Sequence, residues 1–181
     1  WVDGPLTRAV REGAICYLDE VVEARADTTV VIHPLADHRR ELNVERLGEH
    51  LLAPKEFMLV VSYNPGYQSV LKDLKPSTRQ RMVAIELNYP KPEIELQILK
   101  HETGIGDDIA QRLVKIGQAI RQLDHEGLPE VASTRTLIST ALLINAGVPL
   151  QEAAEASIAG PLSDDPGATR QLVELVKAYV V

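Results

Sequence analysis

Ala14-Ile15-Cys16-Tyr17-Leu18-Asp19-Glu20 is an apolar run closed by two adjacent carboxylates. The run has the length of a fully buried strand. It predicts a central strand of an α/β sheet, and ligand sites in such sheets lie beyond the C-terminal ends of the strands. Asp19 and Glu20 hold that position. Burying an unpaired carboxylate is costly, so two at the tip of a core strand imply a cation, a hydrogen-bonding substrate, or both. Nucleotide-hydrolysing machines place their Mg2+ ligand and water-activating group this way. The competing reading is a solvated helix start, where the dipole favours acidic residues.

Around this stretch, 181 residues suffice for one domain, or one domain and a small second one. Acidic residues outnumber basic ones by 26 to 19, and aromatics make up 4%. A net charge of −7 with so few stacking residues argues against a nucleic-acid surface. Cys16 is the only cysteine and lies inside the apolar run. It reads as a buried, inert thiol, and its solitude fits a reducing compartment. No apolar run approaches a membrane span, and Trp1-Val2-Asp3-Gly4-Pro5 lacks the marks of a signal peptide. These features predict a cytoplasmic protein. The missing initiator methionine suggests the retained part of a longer chain.

Along the sequence, Leu6–Arg11 predicts a short helix ending near Gly13, and 14–18 the first strand. Residues 21–36 predict a helix, against which the β-branched run 28–32 weighs. Two short runs around Gly48, spanning 40–53, predict a hairpin. Phe57–Ser62 predicts a second buried strand, stopped by Tyr63-Asn64-Pro65-Gly66. Pro76–Arg81 predicts a basic turn or short helix, and Met82–Leu87 a third strand. After Pro92 helical periodicity takes over in 93–102, 109–125, 134–146, 149–159 and 167–180. Gly104, Gly106, Gly127, Gly147 and Gly160 punctuate these segments as C-cap glycines do. The chain therefore divides into an α/β part over 1–89 and a helical part over 90–181.

Several residues could carry chemistry beside the acidic pair. Asp19 would position Mg2+ through its water shell, since Mg2+ keeps several waters, and Glu20 would polarise an attacking water. Asn64 ends the second strand and can hold a water or a phosphate oxygen without adding charge; its alternative role is turn geometry ahead of Pro65. Arg79 and Arg81 suit phosphate oxygens, or form a solvated face. Arg135 lies in the first turn of a helix capped by Ser133, where the dipole disfavours a cation; the placement hints at an anionic partner. His33, Asp37 and His38 do not share one helix face, which argues against a metal site. His50, His101 and His125 read as surface residues.

Taken together these segments resemble an AAA+ ATPase. Cys16–Glu20 resembles a Walker B strand, Ser62–Pro65 a sensor-1 strand, Lys75–Arg81 an arginine-finger segment and Ala132–Arg135 a sensor-2 segment, in that order. The hairpin at 40–53 resembles the pre-sensor-1 insertion of the MoxR branch, and Val60–Ser69 through Arg81 resembles its CbbQ/NorQ group. The resemblance implies a P-loop-type parallel sheet, with its N-terminal part outside this chain, followed by an all-α lid. It implies rings, usually hexamers, with ATP and Mg2+ between subunits. Asp19 would serve Mg2+, Glu20 would be the general base, and Asn64 would orient water and γ-phosphate. Arg81, and Arg79 with it, would reach a neighbour's ATP, and Arg135 would sense γ-phosphate in cis. CbbQ-like members remodel inhibited Rubisco with a von Willebrand factor A-domain adaptor, so Rubisco is the first expected client, with carboxysome association a possibility. NorQ-like members act in maturing nitric oxide reductase. A non-hydrolysing ring scaffold and a DNA motor are the other readings. The sequence departs from the family in one respect: it contains no Gly-x-x-x-x-Gly-Lys-Ser/Thr loop. In the family that loop precedes the segment beginning here at Trp1. The expectation is that it lies upstream, and that the chain without it binds ATP poorly.

Overall fold

The chain begins with Gly4 as N-cap and Pro5 at the first position of helix α1, Pro5–Glu12, where a missing N–H costs nothing. Gly13 closes the helix in the left-handed conformation at φ 68°, which favours glycine. In this computed structural model residues 1–24, 30–64, 74–123 and 131–180 are described. They divide into two compact units, Trp1–Glu86 and Leu87–Val181.

In the first unit, strand β1, Ile15–Leu18, follows directly. It pairs in parallel with the later strand Met58–Val61, Ile15 opposite Met58 and Leu18 opposite Val61. Between them in sequence, β2, Glu41–Val44, and β3, Glu49–Leu52, form the antiparallel hairpin that the sequence predicts. A 3-10 turn and left-handed Gly48 (φ 62°) reverse the chain. Met58–Val61 is accordingly β4. The Arg40 guanidinium donates to the Pro54 and Phe57 carbonyls, both at 2.8 Å, tying the start of the hairpin to the start of β4. The core of this unit joins Ala9, Val10, Cys16, Leu35, Leu42, Val44 and Phe57.

Three expectations fail in this unit. The apolar run is not buried on both faces. Cys16 is 5% exposed, but Ile15 and Tyr17 are 67% and 58% exposed. The strand's period of two sends these side chains to opposite faces, and only one face is packed among the described residues. Among the described residues the helix expected over 21–36 is not continuous: a 3-10 turn covers Val21–Glu23, Val30 is helical, and turns and bends follow from 31 to 39. Pro34 lacks an N–H and disfavours helix at His33, which adds to the β-branched residues before it. Residues 25–29 of that expected helix lie outside the described residues. Met82–Leu87 forms no strand either: Val83, Ile85 and Leu87 are 84–93% exposed. A strand exists only through a neighbour's hydrogen bonds, and among the described residues β4 pairs with β1 alone.

The second unit is helical. Helices α3, Pro92–Thr103, and α4, Asp107–Gln122, follow the one-turn α2, Pro76–Arg79, of the first unit. Then come α5, Thr134–Asn145, and α6, Leu150–Ala154. The latter runs on through a π turn, Glu155–Ala159, into α7, Gly160–Leu162, and α8, Pro166–Val180, closes the unit. Leu99, Leu113, Ile116, Ile120, Leu137, Ile158, Leu172 and Val176 fill its core. Gly117 permits the α4–α5 contact: a Cβ there would stand 2.9 Å from Leu137 Cδ1. Gly104 caps α3 at φ 68°, whereas Gly106 is the N-cap of α4 at φ −65°. Gly160 lies within a continuous helical stretch at φ −64°, so neither it nor Gly106 acts as a C-cap. Gly127 lies outside the described residues.

Candidate functional site

The parallel register brings the ends of β1 and β4 level, so Asp19 emerges beside Ser62. Ser62 N–H donates to the Leu18 carbonyl at 3.0 Å, and Val21 N–H donates to the Ser62 carbonyl at 3.1 Å. These bonds carry the sheet pairing one step past the strands and hold the acidic turn against β4. The Ser62 hydroxyl then donates to Asp19 Oδ1 at 2.5 Å and accepts the Glu20 N–H at 3.3 Å. The Tyr17 hydroxyl stands 3.0 Å from Asp19 Oδ1 and 3.1 Å from Ser62 Oγ. One carboxylate oxygen of Asp19 is therefore oriented by two hydroxyls. Glu20 takes φ 48° and ψ 44°, the left-handed region, and its side chain is exposed. A non-glycine residue held there indicates surroundings that over-determine its direction.

Asn64 is exposed, two residues beyond Ser62 at the same sheet end. Asp19 and Glu20 thus follow the end of β1, and Asn64 lies three residues past the end of its parallel neighbour β4. The turn residues Pro65 and Gly66 lie outside the described residues.

Arg79 and Arg81 fall at the end of α2 and just after it, both exposed. The Arg81 guanidinium donates to the Ser77 carbonyl and, at 3.3 Å, to Asp37. Asp37 also receives a two-pronged contact from Arg39 at 2.7 and 2.9 Å. These hydrogen bonds, Arg39's foremost, hold the Asp37 carboxyl far below the usual carboxylate range. His33 Nε2 lies 2.8 Å from Oγ1 of Thr78, which is buried inside α2. Burial, then the charges of Arg81 and Lys75, keep the His33 ring below its ordinary value and favour the neutral form. His33 and Asp37 thus brace the arginine segment, and no metal-ligating group of three occurs among the described residues. Sequence reading dismissed these two as ligands and missed this role. The spacing from 37 to 81 gives no sign of it.

In the other unit, Ser133 caps α5 as the sequence predicts, accepting the Thr136 N–H at 3.1 Å. Arg135 follows in the first turn, exposed. Two residues that sequence reading missed sit beneath this helix start. Glu95, 0% exposed, pairs in a two-pronged bond with Arg121 at 2.7 and 2.9 Å. Glu95 falls in the first turn of α3, where an acid is ordinary, so the sequence gives no sign of its burial. Cys16 is buried, and burial pushes its thiol up, away from the reactive thiolate.

One carboxylate flanked by hydroxyls, with a second acid adjacent, is a donor set that suits Mg2+, which takes one or two carboxylates and otherwise water.

Comparison with known proteins places the whole chain. Residues 1–82 match an AAA domain of the dynein-related subfamily, and residues 95–179 match the CbbQ/NirQ/NorQ C-terminal model. The denitrification regulatory protein NirQ of Pseudomonas aeruginosa is 61% identical over 180 residues, covering 99% of this chain and 69% of its own length. Protein NorQ of Paracoccus denitrificans is 53% identical over 98% of this chain and 66% of its own. Protein CbbQ of Hydrogenophilus thermoluteolus is 52% identical over 92% of this chain and 62% of its own. The chain thus spans about two thirds of these relatives. No helix among the described residues is long and apolar enough to cross a membrane.

Proposed function

The chain belongs to the CbbQ/NirQ/NorQ family of AAA-domain proteins, in the MoxR branch of the AAA+ ATPases, and from that premise we propose that it hydrolyses ATP to remodel a protein client in denitrification. The observation that carries the ATPase part is the Tyr17–Ser62–Asp19 cluster with Glu20 beside it at the end of paired parallel strands. Asp19 would hold Mg2+ through water; the ion would screen the phosphates and spread charge off the transferred group. Glu20 accepts a proton from the attacking water. Asn64 orients that water. Arg81, with Arg79, serves the ATP of a neighbouring subunit in a ring, and Arg135 reads the γ-phosphate from the lid. The division of labour assigns 1–89 to the nucleotide-binding subdomain and 90–181 to the lid.

For the client, the first expectation was Rubisco. Identity of 61% and 58% to proteins called denitrification regulatory, against 52% to CbbQ, favours the nitric oxide reductase reading instead. A von Willebrand factor A-domain adaptor fits either client. The test is reconstitution in cells lacking the full-length protein. Nitric oxide reductase made there should be inactive, wild type should restore it, and Glu20→Gln should not. Purified Glu20→Gln should bind ATP normally but turn over about 10²-fold or more slower, the scale of a lost general base. Undiminished turnover refutes the base assignment. Restoration of Rubisco and not of the reductase refutes the client.

A further inference from the structure

We infer that Glu95 and Arg121 are positioning residues for Arg135, wiring the entry of the helical unit to the start of α5. The inference rests on the proposed reading of Arg135 as a phosphate sensor. Glu95 is wholly buried in the first turn of α3, and the Arg121 side chain on α4 is 12% exposed. A buried ion pair is a poor source of stability, because desolvation offsets the attraction; an apolar pair of the same volume serves as well or better. Such a pair earns its place through geometry, and here its remaining hydrogen-bonding capacity goes to one spot.

Arg121 Nε donates to the Ala132 carbonyl at 2.8 Å, and the Thr134 hydroxyl donates to Glu95 Oε1 at 2.7 Å. The two bonds bracket the N-cap Ser133, one residue on either side. They set where α5 begins and therefore the direction in which Arg135, one residue further, leaves the helix. Tyr89 stacks on the Arg121 guanidinium at 4.1 Å, fixing its plane. Tyr89 and Glu95 belong to the segment by which the chain enters this unit. A displacement of that segment is felt at Arg135 through two hydrogen bonds and one ion pair.

The test is a double-mutant cycle in the full-length protein, read as ATP dissociation constant and as KM against kcat. Glu95→Gln keeps the volume but ends the ion pair. It should weaken ATP binding about three- to tenfold, the range of mutations that act on a ligand without touching it. In an Arg135→Ala background the same change should add less than about twofold, since coupled residues are non-additive. Thr134→Val, which removes one hydrogen bond and leaves the pair, should show the same pattern at smaller size and serves if Glu95→Gln does not fold. Val176→Ala, a core truncation in α8, should lower thermal stability without moving ATP affinity. Full additivity with Arg135→Ala, or normal ATP affinity in both Glu95→Gln and Thr134→Val, overturns the positioning role. Normal affinity in Arg135→Ala alone overturns the sensor reading, and the inference with it.

Discussion

Removing the Ser62 hydroxyl tests the acidic site with the backbone untouched. The hydroxyl donates to Asp19 at 2.5 Å, accepts from Glu20 N–H at 3.3 Å and neighbours Tyr17 at 3.1 Å. A hydrogen bond to a charged group contributes about 1.5–3 kcal/mol when shielded. Asp19 is exposed, so water replaces part of it, leaving about 1 kcal/mol. The long bond to Glu20 adds about 0.5 kcal/mol at most. The two backbone bonds that join Ser62 to Leu18 and Val21 survive in Ser62→Ala. The expected loss is therefore about 1–1.5 kcal/mol, a drop of about 0.5–1 M in the urea midpoint. Tyr17 stays within 3.0 Å of Asp19, so the carboxylate keeps one partner and the fold persists. Hydrolysis by the full-length protein should need more Mg2+ to reach its maximum, because Asp19 is no longer pre-aimed. Tyr17→Phe should do less of the same, and the double variant more than their sum. A Ser62→Ala protein with unchanged urea midpoint and Mg2+ requirement refutes the claim that this hydroxyl holds Asp19.

Other perturbations have equally definite outcomes. Arg81→Ala and Glu20→Gln should each be nearly inactive alone, yet mixed rings should regain turnover where a Glu20 site faces an intact Arg81; no gain on mixing rules out action in trans. The Asp37 carboxyl has a lower pKa folded than unfolded, so its stabilisation is present above the unfolded value of about 3.9 and is lost as pH falls through the folded one. The stability gap between wild type and Asp37→Asn should thus be constant from about pH 5 to 8 and close below about pH 4 by chemical denaturation, whereas a gap that widens in acid contradicts the pairing. Gly117→Ala gains about 1 kcal/mol of helix propensity but drives a methyl against Leu137, an overpacking of about 1–3 kcal/mol. Its melting temperature should fall, and Leu137→Val should recover part of the loss when combined with it; a rise in the single variant refutes the close contact.

Strands over 14–18 and 57–62, the hairpin, the helices after Pro92 and the Ser133 cap were legible in the residues alone. Each depends on short-range causes: apolar runs of strand length, a left-handed glycine, proline at a helix start, a hydroxyl three residues from an N–H. The sequence also marked Asp19 and Glu20, because two acids after an apolar run stand out in one dimension. The helix expected over 21–36 is not continuous among the described residues, because Pro34 disfavours helix at the residue before it. Met82–Leu87 has a strand's residues, yet strandness belongs to a pair of segments and no window of one contains it. That Ser62 orients Asp19, that Asp37 and His33 brace Arg81 and the helix before it, and that Glu95 meets Arg121 beneath Arg135 came from packing. These contacts join residues 26 to 45 positions apart. Their energies depend on burial and on distances of a few tenths of an ångström, and both arise only when distant segments pack.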